Sequence, residues 1–148
     1  MSNARYNLFP SKPAFRATSD NATQSLANIT NTVVIFDVAE TNLGGCYNTS
    51  NGKFTAPVDG FYSFNASLLI SQGGADRVDL MFYKNGSVKI AHEFRDTGSI
   101  STNASFTAGC HLELSENDFI ECVVKLVGAS GSVYQEPKFW NFSGHLVS

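Results

Sequence analysis

The side chains best suited to chemistry in this sequence are three histidines, three cysteines and one acidic turn. His92, His111 and His145 fall in separate segments, and none has a second ligand at metal-binding spacing. Zinc centres need clustered ligands, so each histidine reads as a surface or packing residue. Cys46, Cys110 and Cys122 match no zinc or redox spacing, and three cysteines cannot all pair within one chain. A free cysteine behaves as a small hydrophobe, so partly buried thiols are the plain reading. Glu113 and Glu116 flank Asn117-Asp118, where carboxylates beside a turn ordinarily serve to solvate it. No G-x-S-x-G elbow, H-E-x-x-H pair or phosphate-cradling glycine loop occurs. The expectation is no enzyme, no catalytic residue, no bound metal and no cofactor.

Composition narrows the class. At 148 residues the chain has the length of one domain with a single sizeable core. Twelve phenylalanines and only 16% charged residues suit a β-rich globular domain and argue against disorder. A net charge of −3 with no run of Lys or Arg gives no nucleic-acid footprint. Apolar runs such as Thr32–Phe36 and Ser67–Ile70 are too short to insert in a membrane as a helix. The opening MSNARYNLFPSKPAF has no apolar segment of a secretory signal. Either an upstream region has been removed or the chain is made and assembled inside a cell. Residues 1–12 read as a leader and 13–148 as the domain.

The elements come from punctuation and alternation. Turn signals at Gly44-Gly45, Asn51-Gly52, Asp59-Gly60, Gly73-Gly74, Asn85-Gly86, Thr97-Gly98, Glu116–Asp118 and Gly128–Gly131 divide the chain at sandwich-like intervals. Between them, Tyr62, Phe64, Ala66, Leu68 and Ile70 alternate with Ser63, Asn65 and Ser67. Val78, Leu80 and Phe82 alternate with Asp79, Met81 and Tyr83, and Ile120, Cys122, Val124 and Leu126 with Glu121, Val123 and Lys125. Trp140, Phe142, Gly144 and Leu146 alternate with Asn141, Ser143 and His145. Period two places each set on one face of a strand. Gly60 reads as a backbone turn before Tyr62, and Pro57 as a strand end. No helical period appears. This is an all-β chain.

One series is more specific than the rest. Phe36, Asn42, Tyr47, Phe54, Gly60, Tyr62 and Phe64 fit F-x5-N-x4-Y-x6-F-x5-G-x-Y-x-F, seven positions over 29 residues. This resembles the signature of the C1q globular domain, in the C1q/TNF-like superfamily. Phe142-Ser143-Gly144-His145-Leu146 is similar to its closing F-S-G-F-L, with His145 in place of an aromatic. Pro13–Ala17 is similar to its opening strand, Lys84-Asn85-Gly86 to its K-N-G turn, and Asn117-Asp118 to a G-D step with Asn for Gly. The likeness spans residues 13–148. Phe54-Thr55-Ala56-Pro57-Val58 through Tyr62 looks like the phage and bacterial members.

The resemblance implies a ten-stranded jelly-roll sandwich that assembles as a homotrimer. It implies opposite sheets for the strands flanking Asn85-Gly86, against the two-residue hairpin that Asn-Gly alone suggests. It also separates Cys110 from Cys122 by about 10 Å, beyond the roughly 7 Å reach of a disulfide. Some relatives hold calcium through apical carboxylates, but Glu40–Gly45 has a single acid, so the metal is not carried over. Met81, Tyr83 and Val123 point away from the core face and are expected at the trimer interface. Seven Asn-x-Ser/Thr sequons occur, at Asn21, Asn28, Asn48, Asn65, Asn85, Asn103 and Asn141. Asn65 and Asn141 sit inside predicted strands, which favours a chain that never meets glycosylation machinery.

The functional expectation is a non-enzymatic, trimeric adhesion head of a virion or phage fibre structural protein. It would sit on the virion surface or otherwise outside the cell, bind a host receptor or glycan, and gain avidity from three sites. Binding is expected from loops at one end, including Gly44-Gly45 and Gly73-Gly74-Ala75. The alternative is a secreted C1q/TNF-like signalling or innate-recognition ligand.

Overall fold

The computed structural model describes residues 12–20, 23–98, 102–134 and 140–148. All but the last residue of the expected leader, and the sequon at Asn21, lie outside the described residues. Along the chain run β1 (Ala14–Thr18), β2 (Gln24–Leu26), β3 (Thr32–Val33), β4 (Val38–Leu43), β5 (Tyr47–Asn48), β6 (Lys53–Thr55) and β7 (Gly60–Ser71). They are followed by β8 (Arg77–Lys84), β9 (Val88–Asp96), β10 (Asn103–Leu114), β11 (Phe119–Val127), β12 (Gly131–Tyr134) and β13 (Asn141–Leu146). The thirteen segments exceed the expected ten because several, such as β3 and β5, are pieces of two residues.

These strands form two antiparallel sheets in a jelly-roll sandwich. In the first, β10 pairs with one edge of β7, while β12 and β13 follow one another along its other edge. The sheet continues through β1 to β4, and β2 flanks β12. In the second, β11 is central, with β8 and then β9 on one side and β6 and β3 on the other.

The predicted alternation is realised. Tyr62, Phe64, Ala66, Leu68 and Ile70 of β7 all face the core and are buried, as are Val78, Leu80 and Phe82 of β8. Phe142 is the hub. Its ring lies 4.9 Å from Phe15, 5.7 Å from Phe82, 6.0 Å from Tyr47, 6.2 Å from Phe64 and 6.3 Å from Phe36. Every aromatic of the signature is buried: Phe36, Tyr47, Phe54, Tyr62 and Phe64. Leu146 joins them, whereas Trp140 precedes β13 and is only half-buried.

The polar members of the signature brace this core. Asn42 spans the backbone of Tyr47: its Oδ1 accepts from Tyr47 N–H at 3.0 Å and its Nδ2 donates to Tyr47 O at 2.9 Å. The Tyr47 hydroxyl in turn accepts from Phe36 N–H and donates to Phe36 O, both at 3.2 Å. Burial raises the Tyr47 pKa, so the phenol stays protonated and keeps its donor. Tyr47→Phe removes both hydrogen bonds and strands two buried backbone groups. We expect it to lower the unfolding free energy by about 1–3 kcal/mol in urea titrations.

Two sequence readings are corrected. Gly60 is the first residue of β7 and not a turn; it is needed for room, because a Cβ there would collide with the Leu146 side chain and lie 3.0 Å from Ser148 O. Gly144 has the same role, where a Cβ would lie 2.5 Å from the Phe64 ring and 2.9 Å from that of Phe15. Secondly, β8 and β9 pair in one sheet, with Lys84 opposite Val88. Asn85 and Gly86 take φ of 53° and 74°, the left-handed turn that an Asn-Gly pair allows. Local turn chemistry was the better guide there to the pairing than the resemblance, although the loop holds three residues, 85–87, and not two. Asn117 also takes a left-handed φ, 74°, which explains why Asn can stand where Gly is usual.

Candidate functional site

The outer face of the second sheet, where the sequence places the trimer contact, is covered around Met81 and Val123, although Phe94, opposite Asp79, is exposed on the same face. Met81 and Val123 are opposite one another on β8 and β11 and are 2% and 1% exposed within the single chain. They have no surface to offer a neighbour. Alternation identifies the face a side chain takes but not whether long polar side chains lie over it. Here they do. Asp79, 3% exposed, accepts from Arg77 Nη2 and contacts His92 Nε2, both at 2.7 Å. Lys53 pairs with Glu121 at 3.5 Å and covers the Phe119 ring. Tyr83 is half-buried, its hydroxyl accepting from Asn31 Nδ2 and donating to Met81 Sδ.

The first sheet is different. Its outer face holds the small polar side chains Ser63, Asn65, Ser67, Asn141 and Ser143, with exposed apolar groups toward one end. Phe61, Leu43 and Val147 are 36%, 43% and 42% exposed. Phe61 stacks on His111 at 6.3 Å, and His111 and His145 both lie opposite Ser63, on either side of it. Among the described residues β10 pairs only with β7, and β9 only with β8. Between these two edges Ala104, Ala108, Cys110, Leu112 and Ile90 are only partly buried. No signal in the alternation distinguishes this open sheet from the covered one.

The two glycine loops expected to act together sit at opposite ends. Leu43, beside Gly44-Gly45, pairs with Ala14, and Ala14 with His145 opposite Ser63. Gly73 follows Ser71, eight residues further along β7, or roughly 26 Å at about 3.3 Å per residue. The Gly44 end also holds Pro13 and Leu146, joined by a 2.9 Å backbone bond. The Gly73 end is therefore distal to both.

None of the three thiols is poised as a nucleophile. Cys110 on β10 and Cys122 on β11 belong to different sheets, and all three cysteines are free. Burial raises each thiol, Cys46 and Cys110 to about 11, so thiolates are scarce at neutral pH. Among the described residues no group of three His, Cys, Asp or Glu could hold a metal ion. The strongest electrostatic feature is structural. Asp118 accepts from Asn85 Nδ2, Ser115 N–H and Lys84 Nζ, each at 2.9 Å. The Asn85 and Lys84 hydrogen bonds hold its pKa down at about 2. With an unfolded value near 3.9, the carboxylate stabilises the fold above about pH 4 and ceases to as pH falls through about 2. Asp118→Asn should flatten that part of the stability–pH curve followed by circular dichroism.

The sequence matches the C1q domain over residues 14–147. The chain belongs to the C1q domain family. It is 25% identical over 118 residues to mouse complement C1q tumor necrosis factor-related protein 3, covering 79% of this chain and 45% of that protein. The chain thus spans under half the length of that relative. Among solved structures it resembles the globular domain of zebrafish complement 1qA protein, with TM-score 0.64 and 17% identity over 93% of this chain and 98% of that one. Murine APRIL superposes with TM-score 0.70 at 11% identity over 93% and 100%. Eiger TNF from S. frugiperda gives 0.67 at 10% identity, covering 93% of each chain. These likenesses establish the C1q/TNF-like jelly roll. In this C1q domain the signature positions make the core and its braces, and the outer face of the first sheet is left open within the single chain.

Proposed function

We propose that this C1q domain is a non-enzymatic head that associates with two further copies of itself and recognises a ligand outside the cell. One observation carries the reading: the exposed apolar group around Phe61 on the first sheet, beside a β10 edge whose inward apolar side chains are incompletely covered. A β edge and an apolar face on the same chain are the two halves of a head-to-tail contact, which closes into a ring when its rotation allows.

Of the two carriers expected from the sequence, the secreted ligand is favoured over the virion fibre. The family match and the similarity to mouse, zebrafish and insect proteins support it. The sequons are compatible with this. Asn28, Asn48, Asn65, Asn85 and Asn103 are exposed, although Asn85 Nδ2, the atom a glycan would take, already donates to Asp118. Labelled protein should bind animal cell surfaces saturably, as read by flow cytometry. Absence of such binding, with uptake on bacterial cells instead, would return the reading to a virion head.

A further inference from the structure

At the distal end a cleft of about 230 Å³ is lined by Gln72, Arg95, Asp96, Thr97, Thr102 and Ala104. Gln72 continues the inward series of β7 beyond Ile70 and is 3% exposed, yet its side-chain Oε1 has no hydrogen-bond partner. Buried amide oxygens are almost always satisfied, and an exception calls for a missing donor. The backbone around it is held by several hydrogen bonds. Gln72 O accepts from Ala75 N–H, Thr97 N–H donates to Asp76 O, and Asp76 N–H donates to Val127 O. The Thr97 hydroxyl is tied to Ala75 O. Arg95, which lines the cleft, sits over buried Phe106 with its guanidinium carbon 4.8 Å from the ring centroid.

We propose that this cleft binds one sugar ring of a glycan, with Gln72 Oε1 accepting a hydrogen bond from a ring hydroxyl. The chemistry of the walls selects the class. An anion would meet Asp96 and the Gln72 oxygen; a cation would meet Arg95. A neutral ligand with several hydroxyls satisfies all of them, because each hydroxyl both donates and accepts. Hydroxyls can donate to Gln72 and Asp96 and accept from Arg95 and Thr102, while a C–H face rests on Ala104. The volume lies below the roughly 300–1,000 Å³ of drug-sized sites, so a single ring fills it. The proposal deepens the recognition reading and rests on it. The cleft lies at the end of β7 opposite to that where Pro13 and Leu146 meet. One ring binds weakly, and copies in one assembly gain avidity.

The test uses the full chain labelled for NMR, titrated separately with glucose, galactose, mannose and N-acetylglucosamine. At least one should shift the Gln72 side-chain amide saturably, with a Kd of about 1–10 mM. Gln72→Leu should weaken that sugar by about tenfold or more while leaving the melting temperature equal or higher, since it removes an unpaired buried oxygen. Asp96→Asn, at an exposed position, should weaken it about two- to tenfold with the fold untouched. The proposal is overturned if no sugar moves Gln72, or if Gln72→Leu binds as tightly as the parent. It is equally overturned if crystals soaked in the sugar keep an ordered water on Oε1. Cell binding that survives Gln72→Leu removes this site and leaves the recognition reading standing; binding to no cell removes that reading independently.

Discussion

Phe142→Ala is expected to lower the unfolding free energy by about 3–5 kcal/mol. The ring is fully buried and touches aromatics of both layers, Phe15 and Phe64 of the first sheet and Tyr47 and Phe82 of the second. Its removal costs the transfer energy of one large side chain, and the cavity cannot collapse because rigid rings surround it. Ring–ring contacts add about 0.5–1.5 kcal/mol each beyond buried area. Phe94→Ala is the control. That ring is 54% exposed and rests on Arg77, so its loss should change stability by about 1 kcal/mol or less. Equal effects of the two substitutions in denaturant titrations would show that the cluster does not hold the layers together.

Phe61→Lys should dissociate the assembly while leaving the subunit folded. Within one chain the new ammonium lies opposite Glu113 and is tolerated. At a symmetric contact, three lysines would be desolvated where three rings had been, a loss of several kcal/mol or more than about a hundredfold in association. Unchanged circular dichroism with a smaller sedimenting species is the expected pair of results. A variant that still assembles as the parent does would move the contact elsewhere.

The legible parts of the fold were those written in local patterns. Tyr62, Phe64, Ala66, Leu68 and Ile70 declare an inward face because a strand alternates, and the spacing from Phe36 to Phe64 identified the layer they fill. Asn85-Gly86 declared its hairpin through backbone conformation. Surface accessibility was not legible. Met81 and Val123 looked like an outward apolar pair, and only the tertiary arrangement brings His92 of β9 and Lys53 of β6 to that face beside Arg77. The ends of the sandwich were equally hidden, since twelve residues of β7 carry the chain from one end to the other between two similar glycine turns. Gln72 left no trace in the sequence, because an unpaired oxygen is a property of its surroundings.

The family assignment accounts for the shape of one subunit, and the proposed role depends on what the open first sheet does in solution. Light scattering across micromolar concentrations measures this directly. The account predicts a mass three times that of the 16.0 kDa chain, about 48 kDa, that falls to one chain in Phe61→Lys. A parent protein that remains at 16.0 kDa as its concentration rises would contradict it.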